Sequence, residues 1–220
     1  MTGAGRAGFT PGIYLITDDQ LCGERGVLET VRAAVAGGVR MVQIREKTAS
    51  AARFYDLVMR TADAVGDQAT VLVDDRVDVF LAARAAGAVV HGVHIGQSDL
   101  PAPQVRAIVG QDALIGLSAN TAEHLAQLHA LPAGTVDYLG VGVIRPTSTK
   151  PDHPAPLGIQ GFAAIAAATL LPCVAIGGIT PADVRALRRA GAAGIAVVSA
   201  ICAAENPARS AKEFLKEWTQ

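Results

Sequence analysis

The 220-residue chain is 50% hydrophobic, 18% charged and 4% aromatic, the composition of a folded protein with a large aliphatic core, which excludes disordered and fibrous classes. Its formal net charge of -1 provides no global basic field for nucleic acid, although it is compatible with a local cationic site. Cys22, Cys173 and Cys202 are odd in number and form no CxxC pair, so neither a disulfide framework nor a thiolate zinc site is expected.

Residues 1–11 contain Gly, Ala and Thr with a single Arg6 and lack the apolar stretch of a signal peptide. They are expected to be a flexible tail before one domain over 12–220. No apolar run reaches membrane-spanning length, since even 82–93 is broken by Arg84, Gly87, His91 and Gly92. A reduced, cytoplasmic setting fits best, with no membrane and no nucleic acid as partner.

Short β-rich runs alternate with Ala, Leu and Arg stretches of helical period. Strands are expected near 13–17, 39–45, 70–73, 89–95, 114–117, 138–141, 173–176 and 195–198. Most of these runs are apolar on both faces, as in a parallel sheet covered by helices. Thr121 with Glu123, Thr180 with Pro181 and Asn206 with Pro207 mark helix starts. The Ala-Gly signatures at Gly37-Gly38, Gly87 and Gly191 mark helix stops of the left-handed type. Eight βα units of this length predict an α/β fold, a single (β/α)8 TIM barrel, with a doubly wound open sheet as the alternative. In such a barrel, polar residues just beyond the strands' C-terminal ends are the candidate site.

Those ends are informative. Gln43, Arg45 and Lys47 occupy alternate positions at the end of the second strand, so a continuing strand turns all three to one side and Glu46 to the other. Asp74 and Asp75 follow the third strand and Asp99 the fourth. Two carboxylates from neighbouring strand ends beside cations suit Mg2+, which completes its shell with substrate phosphate oxygens and water. The same acids also suit helix caps or turns. Ser118 ends the fifth strand. The long loop after the sixth strand carries Thr147, Ser148, Thr149 and Lys150, either a solvated turn or the wall of a binding site. Gly177 and Gly178, together with Val198 and Ser199, match a phosphate cradle built after strands seven and eight, although the glycines alone fit an ordinary turn. The five histidines offer no metal spacing: His91 and His94 fall on opposite faces of one expected strand, and His124 and His129 are five apart on an expected helix. No nucleophile has a neighbouring base.

The segments Gln43-Ile44-Arg45-Glu46-Lys47, Asp74-Asp75-Arg76, His94-Ile95-Gly96-Gln97-Ser98-Asp99, Ser118, Pro146-Thr147-Ser148-Thr149-Lys150, Ile176-Gly177-Gly178-Ile179 and Val198-Ser199-Ala200-Ile201 together resemble the thiamine-phosphate synthases. The resemblance runs over about residues 13–215. It implies a transferase that joins a hydroxymethylpyrimidine diphosphate to a thiazole phosphate, releasing diphosphate and forming thiamine monophosphate. Gln43, Arg45, Lys47, Asp74, Ser118 and Lys150 would then hold the pyrimidine diphosphate. Arg45, Lys47 and Lys150 would stabilise the leaving group, and Asp75 and Asp99 would hold Mg2+. Thr147, Ser148, Thr149, Gly178, Val198 and Ser199 would hold the thiazole phosphate. Asp74 departs from the family's usual Asn; an ionised Asp only accepts hydrogen bonds, which leaves its role open between metal and pyrimidine amino group. Arg145, before the Pro-Thr-Ser-Thr-Lys run, is a further deviation expected to add positive charge near a phosphate. Rival readings are a thiazole tautomerase of the same barrel family and a non-catalytic binding protein for thiamine precursors. The oligomeric state is open, a homodimer included.

Overall fold

The computed structural model describes residues 9–147, 149 and 155–220. Eight strands pair in parallel in sequence order and the last closes on the first: β1 (Gly12–Ile16), β2 (Met41–Ile44), β3 (Thr70–Asp74), β4 (Gly92–Ile95), β5 (Leu114–Ser118), β6 (Tyr138–Gly142), β7 (Cys173–Ile176) and β8 (Ala192–Val197). Closure settles the choice between barrel and open sheet. The helices around it are α1 (Asp19–Cys22), α2 (Gly26–Ala36), α3 (Ala51–Val65), α4 (Val77–Ala85), α5 (Ala102–Val109), α6 (Ala122–His129), α7 (Gly158–Ala167), α8 (Pro181–Arg189), α9 (Ser199–Cys202) and α10 (Pro207–Thr219).

Strands that are apolar on both faces have two destinations for their side chains. Leu15, Val42, Val71, Val93, Ile115 and Leu139 pack outward under the helices. Tyr14, Met41, Leu72, Leu114, Tyr138 and Val174 fill the bore as a separate cluster. Two tyrosines fit there because the facing strands carry glycine. A Cβ on Gly116 would lie 2.2 Å from Tyr138 Cζ and 2.4 Å from His94 Nδ1. Phe9, assigned to the tail from sequence, packs its ring 5.3 Å from that of Tyr138; residues 1–8 of that tail lie outside the described residues.

The caps follow the expected chemistry. Thr121 accepts the His124 N–H at 3.2 Å and Asn206 the Arg209 N–H at 2.9 Å. Gly87 and Gly191 take the left-handed conformation, with φ of 87° and 94°. In the first such pair it is Gly38 (φ 107°) that does so. Gly37 is instead required by crowding, because a Cβ there would sit 2.5 Å from Ala208 O of α10.

Strand limits differ from expectation in three places that bear on the site. β2 ends at Ile44, so Arg45 and Lys47 lie beyond it and are directed by a loop, not by strand alternation. β4 starts at Gly92, so His91 precedes it and accepts the Val71 N–H at 3.0 Å. β8 begins at Ala192, three residues earlier than its apolar run indicates.

Candidate active site

The C-terminal rim is assembled strand by strand. Gln43 faces the bore and is 2% exposed, so it meets neither bulk water nor the other two members of its triplet in an open row. Beyond it the chain is stapled to β1: Thr17 N–H donates to Gln43 O at 3.0 Å and Arg45 N–H to Thr17 Oγ1 at 3.0 Å. The staple aims the Arg45 guanidinium inward, with Nη1 3.3 Å from Asp18 Oδ2 and Nε 3.8 Å from Asp74 Oδ2. Lys47 Nζ stands 2.8 Å from Asp74 Oδ2 and also pairs with Asp75. Glu46 points away, accepting the N–H groups of Thr48 at 2.6 Å and Ala49 at 2.9 Å, and so closes the turn. These bonds overcome burial and hold its carboxyl below the ordinary value.

Asp75 adopts a left-handed φ of 55°, which an Asp tolerates, and its N–H bonds His94 O at 2.8 Å. Asp99 accepts the Gly96 N–H at 2.7 Å, so the turn role and the site role coexist in one residue. The carboxylates outnumber what Lys47 satisfies. Burial raises the Asp74 carboxyl against the opposing pull of Lys47 and Arg45, and Asp99 raises it further. At Lys47 the balance is reversed: its two carboxylate partners outweigh burial and hold the ammonium charged. Burial, with Asp75 alongside, also raises Asp99. Asp74 Oδ2 is buried with the Lys47 ammonium 2.8 Å away, but among the described residues no donor is aligned for a hydrogen bond to it. Two acids at neighbouring strand ends offer the hard oxygen donors a divalent cation takes. Among the described residues no group of three or more acidic, His or Cys side chains could hold a metal, so a cation bound by Asp75 and Asp99 would have to draw its other ligands from bound oxygens or water.

Within the bore the polar groups are joined. Gln43 Nε2 donates to Tyr14 OH at 2.6 Å, Tyr14 OH meets Tyr138 OH at 3.0 Å, Tyr138 OH meets His94 Nδ1 at 3.0 Å, and His94 Nε2 meets Ser118 Oγ at 3.1 Å. Gln97 Nε2 bonds Ser118 O at 2.6 Å. Burial, with Lys47 adding to it and Asp99 opposing, drops the His94 imidazole pKa to about 4. Tyr14 and Tyr138 are not expected from sequence as part of the site, and His94 is weighed there only as a metal ligand. Their signal was parity: His94 lies two residues beyond Gly92 and pairs with Asp74, which places it on the inward face of β4.

The opposite side of the rim comes from β6, β7 and β8. Gly177 and Gly178 have φ of 99° and 62°, and a Cβ on Gly178 would lie 2.7 Å from Pro146 O. The β6 loop is pinned there, with Arg145 N–H donating to Gly177 O at 3.0 Å. The Arg145 guanidinium does not point free charge at a ligand as expected. Its Nε lies 3.0 and 3.1 Å from the two oxygens of Asp183, which also accepts the Thr180 N–H and hydroxyl at 3.0 and 2.8 Å. Thr147 Oγ1 and Thr149 Oγ1 are 3.3 Å apart, in one cluster. Val198 is partly buried and Ser199 exposed at the start of α9, beside the β7 loop because Ile176 pairs with Ala196. Ser148 and Lys150 lie outside the described residues. The structure thus brings Arg45, Lys47, Asp74, Asp75 and Asp99 together, sets Gln43 and Ser118 beneath them, and places Gly178 on the far side. A cavity of about 500 Å³ lined by Leu128, Pro132 and Leu170 lies where α6 and α7 end, at the opposite end of the barrel from this chemistry.

A closed (β/α)8 barrel with a charged cluster and a glycine loop on its C-terminal rim defines a barrel enzyme of the kind that handles anionic ligands there. The chain belongs to the thiamine monophosphate synthase family, whose family model matches residues 13–201. It is 42% identical over 205 residues to a thiamine-phosphate synthase of Psychrobacter sp. (strain PRwf-1), covering 93% of this chain and 94% of the relative. The thiamine-phosphate synthase of Laribacter hongkongensis (strain HLHK9) is 45% identical over 209 residues, with 92% of each chain covered. Among solved structures, thiamine phosphate pyrophosphorylase from Pyrococcus furiosus superimposes with a TM-score of 0.82 at 31% identity, covering 96% of each chain.

Proposed function

We propose that this chain is a thiamine-phosphate synthase whose rim divides two substrates between its halves. It joins 4-amino-2-methyl-5-(diphosphooxymethyl)pyrimidine to 4-methyl-5-(2-phosphoethyl)thiazole, forming thiamine monophosphate and diphosphate. The observation that carries the reading is the convergence of Arg45 and Lys47 on Asp74 and Asp75, across the bore from the pinned glycine loop at Gly178.

Gln43, Arg45, Lys47, Asp74, Ser118 and Lys150 are assigned to the pyrimidine diphosphate. Thr147, Ser148, Thr149, Gly178, Val198 and Ser199 are assigned to the thiazole phosphate. Asp75 and Asp99 would hold Mg2+, which when bound neutralises charge on the departing diphosphate. Breaking the C–O bond leaves positive charge on the pyrimidine methylene, delocalised by the ring amino group, and the thiazole nitrogen then attacks. The protein's work is leaving-group stabilisation: a unit charge pair about 4 Å apart is worth roughly 4 kcal/mol at an effective dielectric of 20. Arg45, Lys47 and Lys150 acting together therefore outweigh any single acid or base. Asp74 supports that charge by fixing Lys47 and Arg45, a role an acceptor-only side chain can fill where an Asn would donate. A reduced cytoplasmic location accords with three free, buried cysteines. Among the described residues no helix is long and apolar enough to cross a membrane.

The test is a single assay. Mixing both substrates with Mg2+ is expected to give thiamine monophosphate, EDTA to abolish product, and added Mg2+ to restore it. Product formation that survives exhaustive chelation would remove the metal assignment, and absence of product with Mg2+ present would remove the activity.

A further inference from the structure

We infer that Tyr14, Tyr138 and His94 form a one-way hydrogen-bond relay across the barrel bore that fixes Ser118 as a hydroxyl donor toward the bound ligand. The inference rests on the assignment of Gln43 and Ser118 to the pyrimidine substrate.

The direction follows from counting protons. Gln43 places Nε2 against Tyr14 OH, so that oxygen accepts and its own proton must go elsewhere. Tyr14 is 1% exposed, and Tyr138 OH is the other polar atom bonded to its hydroxyl. A buried hydroxyl proton left unpaired is costly, so Tyr14 donates to Tyr138. Tyr138 is itself fully buried and must then donate to His94 Nδ1. A neutral imidazole that accepts at Nδ1 carries its hydrogen on Nε2, and that hydrogen is donated to Ser118 Oγ. With its lone pair engaged from below, Ser118 has its O–H left for the ligand. It therefore selects a ligand atom with a lone pair and no hydrogen, such as an unprotonated ring nitrogen or a phosphate oxygen.

Gly116 and Gly140 make the relay sterically feasible. A Cβ on Gly116 would strike Tyr138 OH at 2.4 Å, and one on Gly140 would lie 3.1 Å from His94 Cε1. The hydroxyl of the fully buried Tyr138, 3.0 Å from Nδ1, requires that atom as its acceptor. Tyr14, Tyr138 and His94 are positioning residues in this scheme; Ser118 makes the contact.

Two measurements decide it. In wild-type protein labelled with ¹⁵N-histidine, with the signals of His94 identified by their loss in His94→Gln, the neutral Nε2–H tautomer is expected at pH 7. The Nδ1–H tautomer means the relay runs in reverse, with Ser118 donating its proton to Nε2 and left to accept from the ligand, and overturns the inference. The second measurement is steady-state kinetics of Tyr138→Phe, which keeps the ring packed on Phe9 and removes only the hydroxyl. KM for the pyrimidine diphosphate is expected to rise about fivefold to tenfold while KM for the thiazole phosphate stays unchanged. The double variant with Ser118→Ala should lose no more than Ser118→Ala alone. A Tyr138→Phe enzyme with wild-type KM values, or with both KM values raised alike, defeats the relay. If Ser118→Ala itself leaves the pyrimidine KM unchanged, the substrate assignment of Ser118 falls, and the NMR result still stands or falls by itself.

Discussion

Arg45 and Lys47 show how single side chains acquire a task from their surroundings. Arg45 is aimed by a backbone bond to Thr17 and an ion pair to Asp18, which itself caps α1 by accepting the Leu21 N–H at 3.1 Å. The guanidinium is thus preorganised at no cost during reaction, the condition under which electrostatic catalysis is most effective. Replacing Arg45 by Ala is expected to lower kcat by about 10²-fold or more with the far-UV circular dichroism unchanged. A kcat near wild type would take Arg45 out of leaving-group stabilisation. Arg145 is the counter-example. Its sequence position next to a hydroxyl-rich loop pointed to ligand binding, yet its charge is spent on Asp183.

That ion pair is the main device at the level of elements, because it ties the β6 loop to the start of α8. The Arg145 guanidinium beside it, with the Thr180 N–H and hydroxyl, holds the Asp183 carboxyl below its usual range. A carboxyl depressed in the folded state stabilises fully above its unfolded value of about 4 and loses that contribution as pH falls through the folded value. Asp183→Asn should therefore be less stable than wild type at pH 7, and the gap should close in urea titrations as pH is lowered below about 4. A gap that is constant with pH would show that the charge of Asp183 contributes nothing. Gly178 is the second constraint on this loop. Its φ of 62° and the 2.7 Å approach a Cβ would make to Pro146 O allow only glycine without displacement. Gly178→Ala is expected to cost about 1–3 kcal/mol of stability and to raise KM for the thiazole phosphate, leaving that for the pyrimidine diphosphate as it was. Equal KM values in variant and wild type would separate this glycine from the phosphate.

Closure is the property of the molecule as a whole. The seam between β1 and β8 is covered by α10, which packs on α2, α8 and β1 and buries Ala211 and Phe214 to 1% exposure each. Phe214→Ala is expected to destabilise by about 3–5 kcal/mol through lost burial and a cavity. Because the ring of strands has no edge at which to open locally, the loss should appear in one transition. Fluorescence of Trp218, the only tryptophan, and far-UV circular dichroism should report the same midpoint. Separate midpoints would mean that α10 detaches from an intact barrel.

The order of elements, their parallel pairing and the rim positions of Asp75, Asp99, Ser118 and Gly178 were legible in the sequence. Each depends on local signals, namely apolar runs, cap residues and the residue that ends a strand. Gln43, read as sharing one side of the strand with Arg45 and Lys47, was legible as a polar residue on one face but not as a buried one. Whether that face meets water or the bore depends on the curvature of a closed sheet. His94 was set aside for lack of a partner at helical or strand spacing, and its partners Tyr138 and Ser118 come from strands 44 and 24 residues away. Sequence alone determined which side chains leave each strand end and on which parity, because the two-residue period of a strand is local. Only the tertiary structure decided which of them meet, because barrel closure brings remote strands to one axis and joins Gln43 to Ser118 through three residues that no spacing rule connects.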